Sequence, residues 1–290
     1  MPTTNSIVAG VDGSDNALTA VRWAAAQARR RGLGLRIVHA WGVTGAYYGG
    51  GLPLPAALFD ILEEDSKRVL AQAVDLARTE APGLTVVGEM PHEAPIPVLV
   101  DESRSARMVV LSSTGRGGFA GMLAGSTAVA VSVHARCPVA VIRGAERAGP
   151  VVVGADGSPE GEPALALGFE EASSRAAPLV AVHAWSDFEY DSFYGSSRYF
   201  ADSGTFADEE ELLLAESLAG WQEKYPDVPV ERVLVKDRPR QVLLEWSRRA
   251  RLLVVGSRGR GGFRGLLLGS TSQALIHHAH CPVLITRGAR

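Results

Sequence analysis

The 290-residue chain has only two cysteines, too few for a disulfide framework. Each precedes a proline and a valine, as Cys137-Pro138-Val139 and Cys281-Pro282-Val283, so both read as small buried hydrophobes at the start of a strand. Long apolar runs are missing as well. Val129–Val133 and Leu252–Val255 have strand or core-helix length and fall far short of a bilayer span, so no membrane partner is expected. The first residues, Met1-Pro2-Thr3-Thr4-Asn5-Ser6, show no basic region followed by an apolar one, which leaves the cytoplasm as the expected location. Nor is there an excess of one charge. Twenty-nine Lys and Arg stand against 32 Asp and Glu, a net charge of −3, which argues against a nucleic-acid or polyanion binder.

What remains is an ordinary globular composition, 46% hydrophobic and 21% charged, at a length that suits two domains. The sequence repeats itself. Ile7-Val8-Ala9-Gly10-Val11-Asp12-Gly13-Ser14 returns as Val151-Val152-Val153-Gly154-Ala155-Asp156-Gly157-Ser158, and His39-Ala40-Trp41 returns as His183-Ala184-Trp185. Gly115-Arg116-Gly117-Gly118-Phe119 returns as Gly259-Arg260-Gly261-Gly262-Phe263, and the two Cys-Pro-Val segments complete the set. All four pairs are 144 positions apart, which identifies a duplication with domains at 1–147 and 148–290.

Within one copy, Ile7–Val11 reads as a buried strand entering a tight loop. Ser14 caps a helix whose inner face carries Ala17, Val21, Ala24, Ala25 and Ala28, and Gly32 stops it. Leu35–Ala40 is a second strand, followed by an aromatic and glycine-rich stretch from 41 to 55. A helix over 57–79, a strand over 84–90, a helix over 98–105 and a strand over 108–111 come next. After a glycine-rich loop, a helix over 126–134 and a strand over 139–142 end the copy. Strands that alternate with helices and read as continuous apolar runs predict a five-stranded parallel sheet covered on both faces, a doubly wound α/β/α sandwich. In such sheets ligands bind beyond the carboxyl ends of the strands, at the switch in strand order.

One loop carries chemistry. In the second copy the fourth strand runs into Gly256-Ser257-Arg258-Gly259-Arg260-Gly261-Gly262, and a helix opens at Gly269-Ser270-Thr271. Glycines let main-chain N–H groups turn toward an anion, and a helix N-terminus aims its free N–H groups and dipole at the same place. Ser270 and Thr271 add hydroxyls, and Arg258 or Arg260 supplies charge. A Walker loop would need a lysine here, and a dinucleotide fingerprint would follow the first strand; neither fits.

Gly256-x2-Gly259-x9-Gly269-Ser270, taken with Asp156, resembles the ATP-binding motif of the universal stress protein family, in the tandem form common in actinobacteria. The resemblance implies a Rossmann-like adenine nucleotide fold, ATP as ligand with Mg2+ an option on its phosphates, and a homodimer as partner state. It implies that Asp156 and the backbone of Ala184 hold adenine, that Gly256 lines the ribose, and that Gly259, Gly269, Ser270 and Thr271 take the phosphates. The first copy carries these roles at Asp12, Ala40, Gly115, Gly125, Ser126 and Thr127, with Arg116, Gly117 and Gly118 in its loop and Ser112 where the motif begins with glycine. Gly10 and Gly154, two residues before the aspartates, offer close approach to the base. Asp187, shortly after the second strand, stands where an acid can meet a ribose, and its counterpart Val43 cannot do so.

Other features read as structural. His277, His278 and His280 lack a carboxylate at metal-ligand spacing and form a solvated helix end. His39 and His183 serve hydrogen bonds, and Arg248, Arg249 and Arg251 face solvent. The aromatic stretch from Asp187 to Phe206 reads as a lid or a subunit contact. The expected function is an ATP-binding, nucleotide-responsive regulator of stress or dormancy adaptation, without a catalytic residue. The alternatives are a slow ATPase or adenylate-transferring enzyme on the same fold, and a scaffold without a nucleotide.

Overall fold

In the computed structural model, residues 6–42, 47–48, 52–53, 56–116, 124–144, 147–185, 203–260 and 267–287 are described. The chain divides into two units, Met1–Ala145 and Glu146–Arg290. In the first unit the order is β1 (Ser6–Gly10), α1 (Asp15–Arg31), β2 (Gly34–Val38), a two-residue ribbon of β3 (Tyr47–Tyr48) and β4 (Leu52–Pro53), α2 (Ala56–Glu80), β5 (Val86–Glu89), α3 (Pro95–Glu102), β6 (Met108–Ser112), α4 (Ser126–His134) and β7 (Val139–Ile142). The main strands lie β5-β2-β1-β6-β7, all parallel.

The second unit repeats the plan with β8 (Val151–Gly154), α5 (Glu162–Ser174), β9 (Leu179–Trp185), α6 (Ser203–Lys224), β10 (Val230–Lys236), α7 (Pro239–Trp246), β11 (Leu252–Gly256), α8 (Ser270–His278) and β12 (Val283–Thr286). Its strands lie β10-β9-β8-β11-β12, again all parallel. Each unit is therefore a doubly wound α/β sandwich.

Burial explains the apolar runs. Every residue of β1 is buried, as are those of β7 and β12, because helices cover both faces of the sheet. In the first unit α1 and α2 pack together on the sheet, and α3 packs with α4. Ile7, Leu35, Met108, Phe169, Leu252 and Leu253 are completely or almost completely buried, each worth about 1.5–3 kcal/mol relative to exposure. In each unit one edge strand, β5 in the first and β10 in the second, carries exposed residues.

Local signals set the helix ends. Ser14 caps α1 by accepting the Ala17 N–H at 3.1 Å, and Gly32 closes the helix in the left-handed region, φ 62°. Ser14→Ala should cost roughly 1 kcal/mol of stability, read as a lower urea midpoint at unchanged slope. The third helix starts at Pro95, three residues before its expected start, because Pro95 and Pro97 stand in the first turn, where an N–H has no helical partner. The second copy departs from the first at α5. Ser158 still accepts the Gly161 N–H, but the regular helix waits until Glu162, after Pro159 and Gly161.

Both cysteines are buried and free, and burial pushes each thiol up to about 12, so neither is a reactive thiolate. Among the described residues no helix is long and apolar enough to cross a membrane.

Candidate functional site

In the first unit the chain builds outward from β1 through β2 to β5, then returns to place β6 on the other side of β1. The switch point lies between β1 and β6, and in the second unit between β8 and β11. Asp12 and Asp156 leave the first strand of each pair, and the glycine loops leave the second. Sheet topology alone thus brings the two sequence motifs together.

The aspartate physically joins them. Asp156 Oδ1 accepts the Ser158 N–H at 3.0 Å and the Ser158 hydroxyl at 2.6 Å, while Oδ2 accepts the main-chain N–H of Arg260 at 2.8 Å. The first unit repeats this: Asp12 Oδ1 takes the Ser14 N–H at 3.0 Å and hydroxyl at 2.7 Å, and Oδ2 takes the Arg116 N–H at 2.7 Å. Each carboxylate therefore fixes the start of the glycine loop against the turn after the first strand, with one lone pair of Oδ2 left over. This contact also explains a glycine. A Cβ on Gly259 would stand 2.6 Å from Asp156 Oδ2, and one on Gly115 would meet Asp12 Oδ2.

The far end of each loop is a bare helix start. Gly125 and Gly269 are the N-cap residues of α4 and α8, and neither helix has a side-chain cap. The Gly125 N–H donates to the Ser113 carbonyl at 2.6 Å, and the Gly269 N–H to the Ser257 carbonyl at 2.7 Å. These bonds hold the helix start against the strand end. The first turns of these helices are Ser126 and Thr127, and Ser270 and Thr271, where main-chain N–H groups have no partner within the helix. Across the crevice, the Val38 carbonyl accepts from Val11 and the Val182 carbonyl from Ala155. Two residues on stand Ala40 and Ala184, at the carboxyl ends of β2 and β9.

The two copies differ in detail. Where the second has Gly256, a Cβ would lie 2.8 Å from the Arg258 carbonyl, and the Ser272 hydroxyl donates to the Gly256 carbonyl at 2.7 Å. The first has Ser112 there, and its mouth is bridged instead by Asn16, which donates to the Thr114 hydroxyl at 2.7 Å. Arg116 reaches Asp65 at 3.3 Å, an exposed pair. Arg260 instead reaches Glu210, which is buried, and Glu210 lies 2.5 Å from His183 Nε2. Arg258 projects into solvent and Ser257 is buried.

Several sequence expectations take a different meaning. A Cβ on Gly10 would meet Leu111 at 2.5 Å and Leu99 at 3.1 Å, and Gly154 is covered by Leu243 and Val255. The missing side chains make room for these core residues. His39 and His183 hold the turn before each aspartate through Nδ1, at 2.8 Å from the Val11 carbonyl and 2.7 Å from the Ala155 carbonyl. Arg248 and Arg249 are exposed, but Arg251 also donates to the carbonyls of Arg147 and Arg175. Gly117, Gly118, Gly261, Gly262, Asp187 and the aromatic stretch to Phe200 lie outside the described residues.

Sequence reasoning missed Glu210. The signal was its helical phase: Glu210, Leu214 and Leu218 are spaced four apart and all three are buried, so an acid occupies the inner stripe of α6. The residues after Ala40 and Ala184 add one more shared feature. Trp41 packs on His92 at 4.4 Å between ring centroids, and Lys236 sits over Trp185 at 5.1 Å.

Comparison with known proteins places this geometry in a family. The model of the universal stress protein family matches twice, at residues 3–143 and 148–287. A universal stress protein of Mycobacterium tuberculosis is 44% identical over 98% of this chain and 97% of its own length. A second from the same species is 39% identical, covering 97% and 96%. The crystal structure of a universal stress protein from Archaeoglobus fulgidus shares the fold across 99% of this chain and 98% of its own, with a TM-score of 0.68 at 18% identity. The chain belongs to the universal stress protein family, as a tandem pair of its domains.

Proposed function

We propose that each unit binds ATP and that the chain is a nucleotide-responsive regulator of stress or dormancy adaptation. The observation that carries this reading is the pairing, seen twice, of an aspartate-anchored glycine loop with a helix start that no side chain caps. Main-chain donors gathered around a glycine-lined turn suit a polyphosphate.

The described residues fit the ligand. The lone pair left on Oδ2 of Asp12 or Asp156 accepts an adenine amino group, and the main chain of Ala40 or Ala184 lies across the crevice to meet the same ring. Gly256, or Ser112 in the first unit, lines the ribose. Gly115 with Gly125, Ser126 and Thr127, and Gly259 with Gly269, Ser270 and Thr271, take the phosphates. Arg116, Arg258 and Arg260 add charge, and Mg2+ would travel on the phosphates.

Calorimetric titration of the full chain with ATP tests this. Two nucleotides per chain are expected, with GTP markedly weaker, because guanine presents a carbonyl oxygen where adenine presents an amino group. Equal affinity for the two would contradict the role given to the aspartates. Release of ADP over many cycles at roughly 1 per second or faster would replace the regulator with an enzyme.

A further inference from the structure

We propose that Glu210, backed by His183, is a positioning residue that holds Arg260 as a charged clamp on the terminal phosphates in the second unit. It makes that site select polyphosphate over monophosphate more strongly than the first. The inference rests on the nucleotide reading above and assigns the two sites different work.

The contacts close a ring. Asp156 accepts from the Arg260 main chain, the Arg260 guanidinium reaches both Glu210 oxygens at 3.2 Å, Glu210 lies 2.5 Å from His183 Nε2, and His183 Nδ1 lies 2.7 Å from the carbonyl of Ala155, next to Asp156. The side chains of Glu210 and His183 are each 3% exposed, and that of Arg260 is 39% exposed. Arg260 is thus anchored by a buried carboxylate while part of its own side chain stays exposed. Both contacts with Glu210 are made by Nη1, which leaves the Nη2 and Nε donors outside them.

Proton counting shows why the arginine keeps its charge. A carbonyl can only accept, so His183 Nδ1 carries a hydrogen. A second hydrogen must lie between Nε2 and the carboxylate, since two acceptors would repel at 2.5 Å. The His183–Glu210 pair is therefore neutral whichever partner keeps that proton, and the positive charge of Arg260 is not cancelled by it.

Among the described residues the first unit lacks this arrangement. Ser66 stands at the position of Glu210, and Arg116 pairs with Asp65, whose charge offsets its own. Those side chains are 58% and 42% exposed, so solvent screens the pair and fixes Arg116 weakly. A monophosphate is served by the helix start in either unit. A longer phosphate chain gains a fixed cation only in the second.

The test titrates ATP and AMP into full-length chain carrying Gly115→Ala, which leaves the second site to report alone. Glu210→Ser should lower ATP affinity about tenfold and AMP affinity less than about twofold, the loss expected for one charge-assisted contact. Glu210→Gln keeps an acceptor for Arg260 and a neutral pair with His183, so it should retain most of the selectivity. This variant also covers the case in which Glu210→Ser does not fold. Arg260→Ala should match the Glu210→Ser loss, and the double variant should add nothing. Equal losses of ATP and AMP in Glu210→Ser, or unchanged selectivity in Arg260→Ala, overturn the clamp alone. Unaltered chain that takes up neither nucleotide overturns the nucleotide reading and the clamp together.

Discussion

Gly259→Ala is expected to remove one of two ATP molecules per chain, lowering affinity at the second site by roughly 30- to 100-fold, or about 2–3 kcal/mol. The added methyl would stand 2.6 Å from Asp156 Oδ2, closer than such atoms approach. Something has to move. If the carboxylate retreats, it loses the Arg260 N–H at 2.8 Å and disturbs both bonds from Ser158. If the loop retreats, its donors leave the position they hold for phosphate. Either way the contact that fixes the loop against the first turn is lost. The first unit, with its own aspartate and loop, should titrate as before. Calorimetry that still returns two equal sites would show that this glycine is dispensable.

Asp156→Ala should act on selectivity more than on phosphate grip. It should lower ATP affinity at the second site by about tenfold or more while bringing ATP and GTP close together, because the acceptor for the adenine amino group is gone. The three donors it leaves behind are only partly buried, so water can satisfy them and the fold should survive. Asp156→Asn is the informative companion. Its amide oxygen can serve Ser158, but its NH2 then faces the Arg260 N–H, donor against donor. Asparagine should therefore behave nearly as badly as alanine. Preserved discrimination between ATP and GTP in Asp156→Ala would move the adenine contact to another residue.

Much of the architecture was legible because it rests on features a sequence displays directly. Strands covered on both faces become unbroken apolar runs, and Ser14 and Gly32 mark the ends of α1 by their chemistry. The constant spacing between repeats then transferred one copy's organisation to the other. The site was legible as a set of motifs but not as a set of reasons. Gly10 and Gly154 look like ligand glycines, yet leucine and valine side chains occupy the space beside them. Gly115 and Gly259 look like phosphate glycines, and the structure adds that each makes room for a carboxylate from the same protein. Glu210 was hidden for another cause. It sits in the acidic run Asp208-Glu209-Glu210-Glu211, which reads as a solvated helix face, and only the phase of Leu214 and Leu218 reveals that one of the four points inward.

Trp41 and Trp185 immediately follow the alanines proposed to meet the base, and their neighbours differ: an imidazole beside one, an ammonium above the other. Indole emission responds to the polarity and charge around the ring. The chain thus carries an intrinsic optical probe beside each crevice. The chain has five tryptophans, so a variant that keeps only Trp41 or only Trp185, the other four replaced by phenylalanine, would announce, label-free and in real time, when its own half of the molecule fills.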